Sequence, residues 1–114
     1  MPELPEVETI AGDLAPFLTG RRILAVEVTA PLVVKTPLDG LAGNTILGVH
    51  RHGKTIVVQC SSGVLAIHLG MTGRLLSDGA LTPYTRAVFT LDGGVLLYED
   101  IRKFGRIHWG PAMP

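Results

Sequence analysis

The fold is decided by one stretch of the sequence, TIVVQCSSGVLAIHL at residues 55–69, in which two apolar runs flank a polar turn. The runs, Thr55 to Gln59 and Val64 to Leu69, are rich in β-branched and aliphatic residues, which are typical of strands. Between them, Ser61-Ser62-Gly63 has the composition of a turn. The stretch therefore predicts two consecutive short strands joined by a tight turn.

The same alternation of short apolar runs and turns continues through the chain from residue 22 onward. Gly53, Ser77-Asp78-Gly79 and Asp92-Gly93-Gly94 mark turns, and Pro31 to Gly43 is predicted to be a loop with a short helical turn. The further predicted strands are Ile23 to Val28, Thr45 to His50, Arg86 to Leu91, Val95 to Tyr98 and Arg106 to Trp109. Short strands at this spacing predict an antiparallel β-sandwich, or flattened barrel, of about eight strands.

A helix is predicted before the first strand. Its apolar positions follow helical spacing and are Val7, Ile10, Ala11, Leu14 and Leu18. Pro5 suits the first helical turn, Pro16 is expected to loosen the helix or end it early, and Gly20 is a favourable stop. We predict a helix of about three turns within Pro5 to Leu18. The fold class is therefore mainly β, with an N-terminal helix packed on one side of the sandwich.

Composition excludes several classes of protein. The 114 residues fit one domain, and the hydrophobic fraction of 46% is sufficient for a core. No apolar run approaches the roughly 20 residues of a membrane span, and the acidic start is unlike a signal peptide. Cys60 is the only cysteine, which excludes an internal disulfide and a multi-cysteine zinc site. We expect a cytoplasmic monomer without membrane contact, metal or other cofactor in this chain.

The net charge of zero hides an asymmetry along the chain. The first 13 residues hold four acids and no Lys or Arg, whereas ten bases face six acids from Arg21 onward. This excess of positive charge is compatible with a polyanionic partner, but it is mild for a nucleic-acid-binding domain. On charge alone, a solvated surface is the favoured interpretation.

Three loop clusters stand out against the predicted strands, and each has two interpretations. Residues 50–54, HRHGK, place Lys54 at a turn, where it either contacts a ligand or keeps the surface soluble. Residues 68–74, HLGMTGR, place Met71 between glycines, either as an exposed wedge between DNA bases or as a core residue under the turn. Residues 100–106, DIRKFGR, either stack on bases and contact phosphates or form a cationic hairpin with one core Phe.

The order of these clusters after the first residues of the chain resembles a known family. The start PELPEVET at residues 2–9, then Gly53-Lys54, then HLGMTG at 68–73, then Asp-x-Arg-Lys-Phe-Gly at 100–105 are similar to the formamidopyrimidine-DNA glycosylase family. The resemblance extends from Pro2 to about Trp109. It implies base-excision repair by a bifunctional glycosylase and abasic-site lyase. The implied lesions are oxidised purines, namely 8-oxoguanine and formamidopyrimidines, in double-stranded DNA.

The resemblance also implies roles for individual residues. Pro2, after removal of Met1, would be the nucleophile, Glu3 would transfer protons, and Glu6 would be the supporting acid beside it. Lys54 would contact the damaged nucleotide and its phosphate as part of the catalytic set. DNA contacts would come from His68 to a phosphate, and from Met71, Arg102 and Phe104 in the gap left by the everted nucleotide.

An N-terminal proline suits this chemistry. A terminal α-amine has a pKa of about 7.7–8.0, so roughly a tenth of it is neutral and nucleophilic at pH 7. The secondary amine of Pro2 would form an imine with the opened sugar, and this cation promotes β- and δ-elimination. Glu6 would raise the pKa of Glu3 by repulsion between like charges, which favours proton transfer.

The sequence also departs from the family. We expect residues 1–114 to be the N-terminal catalytic domain alone, because the family's helix–two-turn–helix domain and four-cysteine zinc finger are absent from this sequence. Ile101 replaces a commoner proline, and Pro83-Tyr84-Thr85-Arg86 replaces a histidine-bearing stretch. Three alternatives remain: a catalytically weak damaged-DNA-binding module, a glycosylase for oxidised pyrimidines similar to endonuclease VIII, and a β-sandwich interaction domain.

Overall fold

Two antiparallel sheets and one helix make up the described part of the chain. The computed structural model describes residues 4–77 and 79–112. The elements in chain order are helix α1 Leu4–Leu18, strand β1 Ile23–Val28, a 3-10 helix Pro31–Val33, and strands β2 Ile46–His52, β3 Thr55–Cys60, β4 Gly63–His68, β5 Gly73–Leu76, β6 Thr85–Leu91, β7 Gly94–Asp100 and β8 Arg106–Gly110. The predicted mainly β fold with an N-terminal helix is confirmed.

Each sheet has four strands. The first has the order β1-β6-β7-β5 and the second has the order β2-β3-β4-β8, with every neighbouring pair antiparallel. The stretch at 55–69 forms the two central strands of the second sheet, paired from Thr55 with His68 to Cys60 with Gly63. The predicted antiparallel sandwich of about eight strands is thus confirmed.

The core lies between the two sheets. Alternate side chains of the second sheet, such as Ile56, Leu65 and Ile107, belong to one buried cluster with Phe89 and Tyr98 of the first sheet. Full burial of one such side chain contributes about 1.5–3 kcal/mol to stability. Because residues alternate between the two faces of a strand, the intervening residues of the second sheet point away from this core.

Helix α1 differs from the prediction at its C-terminal end. It includes Pro16 and continues to Leu18, with the amide of Thr19 donating to the carbonyl of Ala15 at 3.0 Å. Proline removes one helical hydrogen bond, but Leu14 and Leu18 on either side of it are buried in the core. Burial of these two leucines outweighs the lost bond, so of the two expected effects of Pro16 the early end of the helix was wrong. Gly20, at φ +88°, marks the stop as predicted.

Strand β5 was not among the named strand segments. Its sequence, GRLL at residues 73–76, is only four residues long and has no β-branched residue. It forms because it pairs with β7 as the edge of the first sheet, from Gly73 with Asp100 to Leu76 with Leu97.

The segment Pro31 to Gly43 contains the predicted short helical turn. In the part of the chain that the structure describes, no helix has the length and apolar character needed to cross a membrane.

Candidate active site and nucleic-acid interface

Three connections meet at one end of the sandwich. They are the β2–β3 turn at Gly53-Lys54, the β4–β5 loop at residues 69–72, and the β7–β8 loop at residues 101–105. The amide of Leu69 donates to the carbonyl of Lys54 at 3.4 Å, and the amide of Arg102 donates to the Thr72 hydroxyl at 3.1 Å. The three clusters, at residues 50–54, 68–74 and 100–106 of the sequence, are therefore contiguous in space.

Asp100 links two of these connections through hydrogen bonds. Its carboxylate, fully buried, accepts hydrogen bonds from the Thr72 hydroxyl at 2.5 Å, the Tyr98 hydroxyl at 2.6 Å and the Gly105 amide at 2.9 Å. Burial by itself would raise the pKa of Asp100. The hydrogen bonds from Thr72, Tyr98 and the backbone outweigh burial, so the pKa lies below its usual value. Asp100 is thus a buried carboxylate that joins the β4–β5 loop to the β7–β8 loop.

Two glycines allow the loops to approach this closely. At Gly105, an added Cβ atom would overlap the hydroxyl of Tyr98 and lie 2.7 Å from the carbonyl of His68. At Gly70, which has φ +63°, an added Cβ would lie 2.8 Å from the carbonyl carbon of Phe104. Only glycine fits at either position without displacing backbone. The glycines of both sequence clusters are explained by this contact between loops.

The apolar and cationic side chains of these loops face solvent. Met71 is 42% exposed and Phe104 is 52% exposed, which excludes the interpretation of either as a core residue. The guanidinium carbon of Arg102 lies 5.1 Å from the centre of the Phe104 ring, in cation–π geometry. Lys103 between them has φ +58°, a left-handed conformation that is uncommon outside glycine. We call Met71, Arg102 and Phe104 the wedge.

Lys54 and His68 lie at the same end of the molecule. Both are partly exposed, and the Nδ1 atom of His68 accepts a hydrogen bond from the Gly70 amide at 3.2 Å. Burial lowers the pKa of His68, and the positive charges of Arg106 and Lys54 lower it further. A neutral imidazole that accepts at Nδ1 carries its proton on Nε2, so His68 can donate a hydrogen bond to an incoming anion.

Helix α1 brings the start of the chain toward these loops. It runs antiparallel to β2, because Glu8 forms a 2.7 Å ion pair with Arg51 while the Gly20 amide bonds to the carbonyl of Ile46. Leu4 precedes Glu8 by one helical turn, or about 6 Å along the axis. The first described residue therefore lies near the β2–β3 turn that carries Lys54.

Three site residues were predicted at the start of the chain, and the structure describes one of them. Glu6 occupies the first turn of α1 and is exposed to solvent. Pro2 and Glu3, the predicted nucleophile and proton-transfer residue, lie outside the described residues.

Sequence reasoning assigned no role to Asp100, Tyr98 or Thr72. The available signal was Asp100 itself, an acid that closely follows the apolar run VLLY and opens the third cluster. A carboxylate at the end of a buried strand needs hydrogen-bond donors around it. The sequence does not identify Thr72, 28 residues earlier, as one of those donors. The hydroxyl of Tyr98 is committed to the same carboxylate, which adds to burial in raising the pKa of Tyr98.

The described residues do not fit a metal centre. Within 4–77 and 79–112 no three potential ligands from His, Cys, Asp or Glu come together. Cys60 is buried, and burial raises the pKa of its thiol to about 11, which disfavours the thiolate that a metal requires. A four-cysteine zinc site of the kind the resemblance implies cannot be built from the one cysteine of this sequence.

Comparison with known sequences identifies close relatives. Residues 1–107 match the family model described as the formamidopyrimidine-DNA glycosylase N-terminal domain. The chain is 45% identical over 120 residues to formamidopyrimidine-DNA glycosylase of Solibacter usitatus, covering all of this chain and 45% of the relative. It is 46% identical over 118 residues to the Moorella thermoacetica enzyme of the same name, covering 95% of this chain and 43% of the relative. The chain thus spans less than half the length of these relatives.

Solved structures show the same architecture. The MutM (Fpg) protein of Thermus thermophilus superposes with a TM-score of 0.88 at 36% identity, over 97% of this chain and 41% of that protein. A Lactococcus lactis formamidopyrimidine-DNA glycosylase bound non-covalently to DNA with an abasic site gives 0.86 at 34% identity, over 95% of this chain and 45% of that protein.

Proposed function

The chain belongs to the formamidopyrimidine-DNA glycosylase family, as its N-terminal domain, and we propose that it acts in base-excision repair. Its substrate class is double-stranded DNA with oxidised or abasic nucleotides. The reaction is removal of the damaged base followed by strand cleavage at the abasic site. The proposed location is the bacterial cytoplasm, at the nucleoid, because the curated relatives are bacterial proteins.

The observation that carries the proposal is the exposed wedge on a buried support. Three large side chains project from loops that are tied together by Asp100. Everting a nucleotide costs a few kcal/mol, less for a damaged base, and inserted side chains offset this cost by filling the gap in the stack. Arg102, held over the Phe104 ring, is suited to face the orphaned base.

The chemistry is assigned to the start of the chain. Pro2, freed by removal of Met1, attacks the sugar C1′ and displaces the base, forming a C–N bond as the glycosidic C–N bond breaks. Glu3 transfers the protons, and Glu6 is the acid beside it. The sugar ring then opens as the C1′–O4′ bond breaks and O4′ takes a proton, which leaves a cationic imine between C1′ and Pro2. This cation acidifies the C–H at C2′, and loss of that proton expels the 3′ phosphate. The direction of α1, which starts near Lys54, supports this placement.

Lys54 and His68 are proposed to hold the damaged nucleotide during these steps. Lys54 supplies a positive charge at the turn next to the wedge, and neutral His68 donates from Nε2 to a phosphate oxygen. Neither residue requires a bound metal for this role.

Oxidised purines are the proposed lesions because the curated relatives carry the formamidopyrimidine name. The Lactococcus lactis relative has been solved with DNA containing Fapy-dG, which supports the assignment. The same relative has also been solved with DNA containing an oxidised pyrimidine, so oxidised pyrimidines are the second candidate.

Borohydride trapping tests the proposed nucleophile. We expect the chain lacking Met1, confirmed by intact mass, to form a covalent adduct with abasic duplex DNA when the imine is reduced. The matched control is the same chain with Met1 retained, in which the nitrogen of Pro2 is an amide and no adduct should form. Absence of an adduct from the processed chain, under conditions where it binds the duplex, would contradict the lyase assignment.

A further inference from the structure

Two large exposed side chains beside the wedge have no part in the proposed function. Tyr84 is 47% exposed and Ile101 is 60% exposed, although both adjoin the buried residue Asp100. The amide of Asp100 donates to the carbonyl of Tyr84 at 3.0 Å, and Ile101 follows Asp100 directly. Both lie at positions where the sequence departs from the family, and the fold brings them together at the end of β7. We call Tyr84 and Ile101 the flank.

A closed turn holds Tyr84 in place. The amide of Thr85 donates to the carbonyl of Thr82 at 3.1 Å, and Pro83 occupies the second position of this turn, where its fixed φ is favourable. The Thr82 hydroxyl donates to the buried carboxylate of Glu99 at 3.0 Å. Because the backbone is already fixed, little conformational entropy remains to be lost when Tyr84 contacts a ligand.

Arg86 holds the other half of the flank. Its Nε atom donates to the carbonyl of Asp100 at 2.8 Å, and its Nη2 atom donates to the carbonyl of Ile101 at 3.4 Å. The carbonyl of Arg86 accepts the amide of Thr29 at 2.9 Å, which ties it to the end of β1. The backbone that leads into Arg102 is thus fixed by a side chain from β6.

Strand order places the flank on one side of the β7–β8 loop and Met71 on the other. In the first sheet β7 lies between β6 and β5, and the loop that carries Arg102 leaves from its end. Met71 closely precedes β5, whereas Tyr84 immediately precedes β6. Lys54 lies on the side of Met71, because its carbonyl accepts the amide of Leu69. The flank therefore lies on the side of the loop away from the residue proposed to hold the damaged nucleotide.

The charge around the flank favours a nucleic acid over an apolar protein partner. Residues 81–86 and 101–106, which carry the flank, contain four bases and no acid. The next acids along the chain, Glu99 and Asp100, have buried side chains. An exposed aromatic ring among positive charges suits a polyanion whose bases stack on aromatic rings.

We propose that the flank contacts the undamaged strand of the duplex, with the ring of Tyr84 against the base next to the orphaned base. Arg102 is suited to face the orphaned base, Ile101 precedes Arg102, and Tyr84 bonds to the residue before Ile101. The undamaged strand would thus pass from the wedge onto the flank, on the side away from Lys54. The inference rests on the proposed function, because it assumes that the wedge enters DNA.

Removal of single bases tests the contact. The probe is a duplex with one tetrahydrofuran abasic analogue, and in further duplexes either neighbour of the orphaned base is also replaced by tetrahydrofuran. We expect Tyr84→Ala to weaken binding of the first duplex about tenfold, as loss of one base–aromatic stack does. The effect should vanish in the duplex that lacks the contacted base.

Three further variants complete the design. Tyr84→Phe keeps the ring and should bind like the unaltered chain. Ile101→Ala leaves the turn at Tyr84 intact and should weaken the same duplexes by a smaller factor. Leu24→Ala is the matched control, because Leu24 is similarly exposed but lies near the start of β1, away from the wedge, and its binding should be unchanged.

Three results would overturn the inference. One is weakening by Tyr84→Ala that is absent, or equal on all duplexes while the melting temperature is unchanged. Another is weakening by Tyr84→Phe as well, which would assign the effect to the hydroxyl. The third is loss of the effect when a base beside the lesion is removed instead, which would assign the ring to the damaged strand. Failure of the proposed function would appear differently, as equal binding of damaged and undamaged duplexes by the unaltered chain.

Discussion

Asp100 is the residue on which the shape of the wedge depends. Its fully buried carboxylate satisfies donors from the β4–β5 loop, from β7 and from the β7–β8 loop at once. A buried charge held by three hydrogen bonds is stable only while all of them are made. The conformation of the exposed side chains is therefore determined by a residue that cannot itself touch DNA.

Replacement of Asp100 by asparagine tests this dependence. The amide keeps the shape but presents an NH₂ group to donors, and each lost charge-assisted bond is worth about 1.5–3 kcal/mol. We expect Asp100→Asn to lower the free energy of unfolding by about 2–3 kcal/mol, measured in urea. Asp39→Asn, at an exposed loop position, is the control and should change it by less than about 0.5 kcal/mol. Equal effects of the two changes would contradict the role of Asp100.

The sequence identified the exposed residues of the site but not their support. Lys54, His68, Met71, Arg102 and Phe104 were all placed in loop clusters, and the structure brings them to one end of the sandwich. The bonds of Asp100 could not be anticipated, because they depend on the register between β5 and β7, which no local pattern specifies. The roles of the loop residues in catalysis and DNA contact remain predictions.

At the scale of elements, the strands followed from local composition and the exceptions followed from tertiary contacts. The stretch at 55–69 forms strands in the predicted place because both runs are apolar and bounded by a turn. Strand β5 lacks that signal and depends on pairing with β7. Helix α1 likewise passes Pro16 because two leucines on the core face hold its last turn. Local propensity was overridden only where buried contacts were available.

Pro16 offers a test at this scale. It is exposed, and alanine at its position restores an amide that can bond to the carbonyl of residue 12. A proline within a helix lowers the free energy of unfolding by about 3 kcal/mol. It also reduces the conformational entropy of the unfolded chain, which raises the free energy of unfolding by up to about 1 kcal/mol. We expect Pro16→Ala to raise the free energy of unfolding by about 1–2 kcal/mol in urea titrations. Unchanged or lower stability would contradict the expectation, because it would mean that Pro16 does not strain the last turn of helix α1.

For the whole molecule, the lowered pKa values of His68 and Asp100 both make the folded state less stable as pH falls. The pKa of His68 is lower in the folded chain than in the unfolded chain. The contribution of neutral His68 to stability is therefore fully present above the unfolded pKa of about 6.5, and it is lost as pH falls through the folded pKa. The pKa of Asp100 is also lowered, so its contribution is lost below about 3.9. Acid should therefore destabilise the domain in two successive ranges.

Thermal unfolding between about pH 3 and pH 8 tests this expectation. We expect the melting temperature to fall first below about pH 6.5 and again below about pH 4. The first fall should be smaller in His68→Gln, and the second should be smaller in Asp100→Asn. A melting temperature independent of pH across both ranges would contradict the described burial of the two groups.

The position of Cys60 has a practical consequence for following the wedge in solution. Its thiol is buried within the sandwich, bonds to the carbonyl of Val58, and has a pKa of about 11. Maleimide reagents need thiolate and access, and Cys60 offers neither at neutral pH. A cysteine introduced in place of Met71 would consequently be labelled selectively, without removing the native one. A fluorophore attached there would report insertion between bases as a change in its emission.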